Sequence, residues 1–194
     1  MKKIYVILSH TGTILSKIIR INTGAEYTHA SIALDENLRK MYSFGRIHPY
    51  IAFLGGFVRE SKNFGTFKRF KNTEVSILEI EVTEKQYEKI NDFIVYMKKN
   101  KRKYSFNYLG LVLASINKKS TNRYRFYCSE FVKYTLEQAN IDLTNLPDVT
   151  KPEDLKNLKN AKIIYKGYLR DYEVEKIDII RYLKLISSNK TIPV

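Results

Sequence analysis

The order of short β-strand segments is the feature that most constrains how this chain can fold. Apolar residues with strand periodicity predict strands at 4–8, 28–34, 38–44, 74–82 and 163–169. The polar tripeptide 35–37 lies between the second and third segments and predicts the turn of a hairpin. Hairpins join antiparallel strands, and the segments form no repeated βαβ unit. The pattern therefore predicts an α+β fold with a small antiparallel sheet packed against helices.

Helical segments lie between and after these strands. Helices are predicted at 13–21, 84–99, 104–116, 129–139, 152–158 and 173–187. The second of them begins after Thr83, which forms a capping box with Gln86. The third is apolar on all sides and predicts a helix buried in the core. The glycine- and aromatic-rich segment 45–65 predicts a turn or a close backbone approach at Gly55 and Gly56.

The length of the chain agrees with a single domain over residues 1–194. A chain of 194 residues can bury one substantial core, and no linker or internal repeat divides it. Hydrophobic residues make up 44% and charged residues 28% of the chain, which excludes an intrinsically disordered protein. The one cysteine excludes an intramolecular disulfide and a cysteine-rich zinc module.

The N-terminal apolar run is too short for an export signal. It covers 4–8 and ends at Ser9 and His10, whereas the apolar part of a signal peptide needs at least about 7 residues. No segment approaches the roughly 18 apolar residues of a membrane-spanning helix. We therefore expect a cytoplasmic protein.

Net charge is the unusual property of the composition. Lys and Arg number 34 against 20 Asp and Glu, which gives a formal charge of +14. Two interpretations are open: a surface that binds nucleic acid, anionic lipid or another acidic partner, or a lysine-rich solvated surface. The sequence has no motif of an RNA-recognition domain, a zinc finger or a helix-turn-helix. We therefore expect no specific nucleic-acid binding.

The positive charges are densest in two clusters. The first basic cluster comprises Lys98, Lys99, Lys101, Arg102 and Lys103, and the second basic cluster comprises Lys118, Lys119, Arg123 and Arg125. A predicted helix of about a dozen residues, roughly 20 Å long, lies between them in the sequence. This spacing predicts two separated poles. Binding to anionic surfaces would then be weak and lost between about 50 and 200 mM salt.

Cys128 lies at the start of the predicted helix 129–139. The positive end of a helix dipole stabilises a thiolate, which is the nucleophilic form of cysteine. A free cysteine otherwise serves as a small, buried apolar side chain. Both roles are open for this residue when it is considered alone.

His29 changes the weight of these alternatives. It begins the predicted strand 28–34, and a histidine at the end of a strand can face a pocket and accept a proton from a thiol. A hydrogen-bonded histidine at a loop edge is the alternative. One cysteine and one suitable histidine, far apart in sequence, are the arrangement expected of a cysteine nucleophile and its base.

A third group is expected to orient the imidazole of His29. Ser43 lies on the strand paired with the His29 strand, where the turn at 35–37 would set it across from His29 or diagonal to it. Strand alternation places Tyr42 on the other face. Ser43 is therefore our first candidate and Tyr42 the second, and a serine at the core edge is the alternative role.

These motifs together resemble the circularly permuted NlpC-type branch of the papain-like cysteine hydrolases. The chain reads THASIAL at 28–34, YSFG at 42–45 and YCSEFV at 127–132, with the histidine before the cysteine. YiiX-like proteins belong to this branch, and lecithin retinol acyltransferase-like enzymes are similar more distantly. The resemblance covers about 4–169 and leaves 173–194 as a C-terminal helical extension. The second histidine of the distant relatives falls on Ser43, which is a departure from their pattern.

The resemblance implies a papain-like core in which Cys128 attacks an amide, ester or thioester carbonyl. His29 would act as general base and then as general acid, and the acyl-thioester would pass to water or to another acceptor. The resulting oxyanion would be held by the backbone N–H of Cys128 and a second donor. The candidates for that second donor are Tyr127, Ser9 and Tyr5. The substrate would be a peptide or a lipid-acyl compound.

Two other residues are candidates for the groove. His10 either lines the same cleft or lies in a segment whose main feature is a helix cap at Thr11 or Thr13. Glu60 either pairs with Arg59 or binds substrate, and a position on a surface strand is the alternative that we favour.

A zinc site is not expected. The candidate ligands Cys128, His29 and His10 form no local pair, and structural zinc takes four ligands. We therefore expect no metal and no cofactor.

The leading interpretation is a cysteine hydrolase or acyltransferase. The main alternative is a non-catalytic binding module of the same fold, with an acidic or anionic-lipid partner. A third interpretation is a protein that associates with nucleic acid through its charge. The sequence favours no particular oligomeric state.

Overall fold

The computed structural model describes residues 1–13, 16–17, 20–21, 24–51, 54–119 and 122–174. Of the predicted helix 13–21, residues 16, 17, 20 and 21 are helical, and 14, 15, 18 and 19 lie outside the described residues. The predicted helix 173–187 lies outside them from residue 175 onward, as does most of the C-terminal extension.

An antiparallel sheet of six strands forms the centre of the protein. Its strands are β1 (Lys2–His10), β2 (His29–Ala33), β3 (Met41–Arg46), β4 (Gly55–Glu60), β5 (Glu74–Val82) and β8 (Ala161–Tyr168). Their spatial order is β4-β3-β2-β1-β5-β8, and every neighbouring pair is antiparallel. Two short strands, β6 (Ser105–Phe106) and β7 (Arg125–Phe126), form a separate parallel pair. The predicted α+β class and the small antiparallel sheet are therefore confirmed.

Besides the helical residues at 16–17 and 20–21, four α-helices have both of their bounds within the described part of the chain. They are α1 (Gly65–Arg69), α2 (Glu84–Asn100), α3 (Tyr108–Ser115) and α4 (Cys128–Gln138), with 3-10 turns at Lys101–Lys103, Pro152–Asn157 and Leu169–Asp171. The capping box of α2 is confirmed. The Gln86 N–H donates to Thr83 Oγ1 at 3.2 Å, and the Thr83 N–H donates to Gln86 Oε1 at 2.9 Å.

The two faces of the sheet are both covered. Helices α2 and α4 pack on one face, where Ile32, Leu78 and Phe131 belong to the larger buried cluster. The opposite face is covered by α1 and by the turn after β8, and its buried cluster includes Met41 and Ile77. Burial of apolar side chains on both faces stabilises the sheet, and it thereby determines which residues lie at the ends of the strands.

The segment 45–65 contains strand β4 and the start of α1. The sequence indicated a strand only as the setting of Glu60 and gave it no bounds, because two glycines and two charged residues obscure the period of β4. It predicted no helix in this segment. Gly55 does mark a close approach, as predicted. A Cβ atom at this position would lie 2.7 Å from Cβ of Phe106.

Helix α3 is not the fully buried helix that the sequence predicts. Leu109 is 63% and Val112 64% exposed, and Ile116 just beyond the helix is also exposed. The helix has only eight residues, and it contacts the protein mainly through Gly110 and Ala114, which are its buried residues. Helix α3 therefore lies on the surface of the protein and exposes several of its apolar side chains to solvent.

The two basic clusters are neighbours, so the predicted separation into poles is wrong. Ser105 of β6 pairs with Arg125 of β7, and the Ser105 N–H donates to the Tyr124 carbonyl at 3.0 Å. The strands run parallel, and continuing their register sets Lys103, at the end of the first cluster, beside Arg123 of the second. The chain reverses direction after the short helix α3 and returns the second cluster to the first.

No helix in the part of the chain that the structure describes is both long and apolar enough to cross a bilayer.

Candidate active site

Cys128 is the first residue of α4. Tyr127 before it is extended, and the side chain of Glu130 accepts a hydrogen bond from the Tyr127 N–H at 3.3 Å. Phe131 and Val132 are completely buried in the core, and this packing fixes the start of the helix at the end of the sheet. The first-turn N–H groups of a helix lack partners within the helix and carry partial positive charge. That charge lies next to the Cys128 thiol, which is itself buried.

His29 and Glu60 form a hydrogen-bonded ion pair. His29 Nε2 lies 2.9 Å from Glu60 Oε1, and the side chains are 17% and 11% exposed. The second carboxylate oxygen, Oε2, accepts a hydrogen bond from the Ser31 hydroxyl. Both oxygens of Glu60 therefore have partners, and the carboxylate holds the imidazole in one orientation.

The pairing of Nε2 with Glu60 leaves Nδ1 of His29 as the ring nitrogen for the thiol. Cys128 lies close enough to interact with the imidazole, and the two residues line the same cleft. Burial alone would lower the pKa of His29, but the Glu60 carboxylate and the Cys128 side chain outweigh it and raise this pKa well above its ordinary value. The arrangement favours the protonated imidazole of His29 beside the Glu60 carboxylate.

Gly45 provides the space in which His29 and Glu60 meet. A Cβ atom at this position would lie 3.3 Å from Glu60 Oε1 and 3.3 Å from His29 Cε1. Such contacts are tighter than ordinary van der Waals separation, so a side chain here would displace the ion pair. Gly56 is the partner of Gly45 on β4, and it faces the flexible end of Ile47 instead.

The cleft beside these residues combines polar and aromatic groups. Its walls also include Thr11, Thr13, Ser16, Thr28, Arg46, Gly55, Thr66, Phe67, Phe106, Tyr108 and Leu111. Apart from His29 and Glu60, the one charged side chain among these lining residues is Arg46.

Ser43 does not contact the imidazole, and this prediction is corrected. Its hydroxyl donates to the Ala30 carbonyl at 2.6 Å, and the residue is completely buried. The reason is the register of the hairpin. Ile32 pairs with Tyr42, and continuing that register sets Ser43 opposite Ser31 and Gly45 opposite His29. Glu60, which the sequence placed only among groove candidates, is the partner of His29.

The second candidate, Tyr42, lies on the face of the sheet away from His29. Its ring stacks on Phe57 with centroids 5.9 Å apart, and the Lys98 ammonium lies 4.6 Å from the ring centroid. Tyr42 is thus a core residue with a cation–π contact to Lys98, and it does not line the cleft.

The three candidates for a second oxyanion donor lie at different places. Ser9 pairs with His29 across β1 and β2 and is completely buried, and its hydroxyl has no partner within the described residues. Tyr5 lies four residues before Ser9 on β1, where its hydroxyl donates to Glu79 at 3.4 Å. Tyr127 lines a different cavity on the other side of α4. None of the three lines the cleft that holds Cys128.

His10 lies next to the cleft but does not line it. Its Nδ1 atom is 3.5 Å from the hydroxyl of Thr28, a residue of the cleft wall. Burial lowers the pKa of His10, and the nearby charge of Arg20 adds to this effect. A neutral imidazole in this position supports the wall of the cleft.

Two residues of the site were missed by the sequence analysis. Ser31 and Gly45 both serve the His29–Glu60 pair, one by donating to the carboxylate and the other by leaving space. The signal for Ser31 was its spacing, because residues two apart on a strand share a face. Within the residues that the structure describes, no group of three or more His, Cys, Asp or Glu is placed to hold a metal ion.

Comparison of the chain with known protein-family models, with curated proteins and with solved structures gives no match.

Proposed function

We propose that this protein is a cysteine-dependent hydrolase or acyltransferase that acts on an amide, ester or thioester bond. The observation that carries the proposal is the meeting of Cys128, His29 and Glu60 in one cleft. A thiol at a helix start, a histidine that interacts with it and a carboxylate behind the histidine are the three parts of an activated cysteine nucleophile.

The proposed reaction begins with attack of the Cys128 thiolate on the carbonyl carbon. The carbonyl π electrons move to oxygen, and the oxyanion accepts hydrogen bonds from N–H groups at the start of α4. As the tetrahedral intermediate collapses, His29 gives its Nδ1 proton to the leaving amine, alcohol or thiol. The products of this half-reaction are the protonated leaving group and a Cys128 thioester.

The second half-reaction regenerates the thiolate. His29, now neutral, removes a proton from water or from another acceptor, which attacks the thioester carbonyl. The carbon–sulfur bond breaks, and Cys128 leaves as a thiolate opposite a protonated His29. Glu60 stays ionised throughout and holds the imidazole, while Ser31 holds Glu60.

The papain-like, circularly permuted NlpC-type core belongs to the same proposal. Support comes from the antiparallel sheet, from the helix that begins at Cys128 and from the order of the histidine and the cysteine. In this core, Glu60 takes the part that the resemblance assigned to position 43. A peptide or lipid-acyl substrate fits a cleft with apolar and aromatic walls.

Acyl transfer to the thiol tests this proposal without knowledge of the natural substrate. We expect p-nitrophenyl acetate to acetylate Cys128 and to release p-nitrophenolate in an initial burst, because the activated thiolate attacks esters faster than water deacylates it. Mass spectrometry of the intact protein and its peptides would locate the acetyl group. Cys128→Ala should show neither signal. Acetylation spread over surface lysines, with equal release by wild type and Cys128→Ala, would contradict the proposal.

A second candidate function is docking on an anionic lipid surface. The observation that favours it is the surface of α3, where exposed Leu109 and Val112 lie between the two basic clusters in sequence. Exposed apolar side chains combined with lysine and arginine fit the interface of an anionic bilayer, where apolar groups enter and cations meet headgroups. Helix α3 also contributes Tyr108 and Leu111 to the cleft wall, so docking would bring the cleft to the lipid.

We expect the protein to sediment with phosphatidylglycerol vesicles at 50 mM salt, and phosphatidylcholine vesicles to bind it poorly. Changing Leu109 and Val112 together to serine should weaken binding about 10-fold or more, because each apolar side chain contributes on the order of 1 kcal/mol on insertion. The matched control is Ile163→Ser, which alters an exposed apolar residue on β8. Equal binding by the α3 variant, or stronger binding to single-stranded DNA than to vesicles, would contradict this function.

A further inference from the structure

Arg46 has no partner for its charge in the part of the chain that the structure describes. It is the last residue of β3 and lines the cleft together with Cys128. No ion pair or side-chain hydrogen bond joins it to any described residue. Glu60, the one acidic residue among those that line the cleft, already has both oxygens paired with His29 and Ser31.

The surroundings of Arg46 make an unpaired charge costly. The residue is half-buried, and burial lowers its pKa, as does the nearby charge of Arg69. Guanidinium groups stay protonated in proteins, so Arg46 keeps its charge although it has lost part of its hydration. A bound anion would compensate for this lost hydration. Arg69 does not line the cleft: its Nη1 donates to the Pro49 carbonyl at 2.7 Å, and its guanidinium stacks on Tyr50.

The position of Arg46 also relates it to the reacting atoms. It directly follows Gly45, against which His29 and Glu60 pack, and its partner on β4 is Gly55. Strand alternation puts Arg46 on the same face as Phe44, which packs against Phe131 of α4. The guanidinium therefore belongs to the side of the sheet from which Cys128 enters the cleft.

We propose that Arg46 binds an anionic oxygen group of the substrate, a carboxylate or a phosphate, next to the acyl bond that Cys128 attacks. The inference rests on the proposed function and adds a substrate class to it. The planar guanidinium offers two parallel N–H donors to such a group. Preferred substrates are then acyl compounds that carry a negative charge near the scissile bond, and neutral analogues react more slowly.

Two alkylating reagents of nearly the same shape test this role directly. Iodoacetate carries a carboxylate, whereas iodoacetamide is neutral. We expect the ratio of their rates on Cys128, divided by the same ratio for glutathione, to be about 10 or more, because one charge-assisted hydrogen bond contributes roughly 1.5–3 kcal/mol. Arg46→Gln should bring this ratio close to 1, because any change in the reactivity of the Cys128 thiol affects both reagents and cancels in the ratio.

Two further variants complete the test. Arg102→Gln removes one exposed positive charge outside the cleft and should keep the wild-type ratio, which separates local binding from the attraction of the whole basic protein. Arg46→Lys keeps the positive charge but lacks the two parallel N–H donors of the guanidinium, so it should give an intermediate ratio. This variant keeps the test decisive if Arg46→Gln folds poorly. An unchanged ratio in both Arg46 variants would overturn the inference.

The same alkylation rates distinguish a failure of the anion site from a failure of the proposed function. Fast iodoacetamide alkylation with a ratio that does not depend on Arg46 overturns the anion site and leaves the proposed function standing. Alkylation of native protein no faster than that of unfolded protein overturns both. Protection from iodoacetamide by benzoate or by phenyl phosphate then identifies the carboxylate or the phosphate as the bound group. Protection by neither, in wild-type protein, counts against the site.

Discussion

Changing His29 to alanine is expected to slow the alkylation of Cys128 by iodoacetamide at pH 6.5 about 10- to 50-fold. An unperturbed thiol is only about 1% ionised at this pH. The imidazolium that interacts with Cys128, together with the start of α4, favours the reactive thiolate. Full ionisation of the thiol would raise the thiolate fraction about 100-fold, from about 1% to 100%. The alkylation rate rises less than this, because a stabilised thiolate is also a weaker nucleophile. Stopped-time alkylation followed by mass spectrometry measures the rate.

Two other histidines provide matched controls. His48→Ala changes an exposed loop residue, and His10→Ala changes a buried residue beside the cleft that does not line it. Both variants should alkylate at the wild-type rate. Equal rates for wild type, His29→Ala and unfolded protein would mean that Cys128 is an ordinary cysteine, and the binding-module interpretation would then be preferred.

The sequence was sufficient to predict which cysteine and which histidine would meet. Each is recognised from local information: Cys128 from the helix that follows it, and His29 from the strand that it begins. The topology then brings them together, because β2 lies near the middle of the sheet and α4 packs against it. Local periodicity therefore predicted both ends of the pair, and the antiparallel class of the fold as well.

The partner of His29 could not be predicted, because it depends on the register of a hairpin. A three-residue turn at 35–37 sets Ser43 opposite His29. The actual connection is longer: the Leu34 N–H donates to the Lys40 carbonyl, and the Asp35 carboxylate accepts from the backbone N–H groups of residues 39 and 40. This shifts the pairing by two residues. The same face is kept, but Gly45 now lies opposite His29.

Glu60 was harder to assign, because the sequence indicates its strand only weakly. Strand β4 is separated from β3 by a loop and begins with two glycines, so neither its bounds nor its neighbour in the sheet follows from the local pattern. Once β4 pairs with β3, Val58 and Glu60 share a face with Ser43. The small side chains of Ser43 and Gly45 then leave room for Glu60 to reach His29.

Changing Glu60 to glutamine should lower the stability of the protein in a pH-dependent way. In the folded protein the pKa of His29 is raised well above its ordinary value, with Glu60 as a main cause that opposes burial. A raised folded-state pKa contributes stability that is fully present below about pH 6.5, the ordinary histidine pKa. That stability is lost as the pH rises through the folded-state pKa. Removing the carboxylate removes most of this contribution.

We therefore expect the free energy of unfolding of Glu60→Gln to fall about 3 kcal/mol below that of wild type at pH 6, the lower end of the range for removal of one partner of a buried pair. The difference should narrow steadily as the pH is raised towards 9. Urea titrations at several pH values measure it, and the NMR titration of the His29 ring proton should move to lower pH in the variant. A difference that stays constant between pH 6 and 9 would contradict the charged pair.

The matched control for this experiment is Glu79→Gln. Glu79 is also a largely buried carboxylate on the same sheet, 13% exposed, and it pairs with Lys3 at 2.9 Å. Lysine keeps its charge throughout the range from pH 6 to 9, so any loss of stability in Glu79→Gln should not vary with pH. A pH-dependent loss confined to Glu60→Gln would assign the titration to His29. The same slope in both variants would instead assign it to the general charge of the protein, and Glu60 would then have no special part in holding the imidazolium.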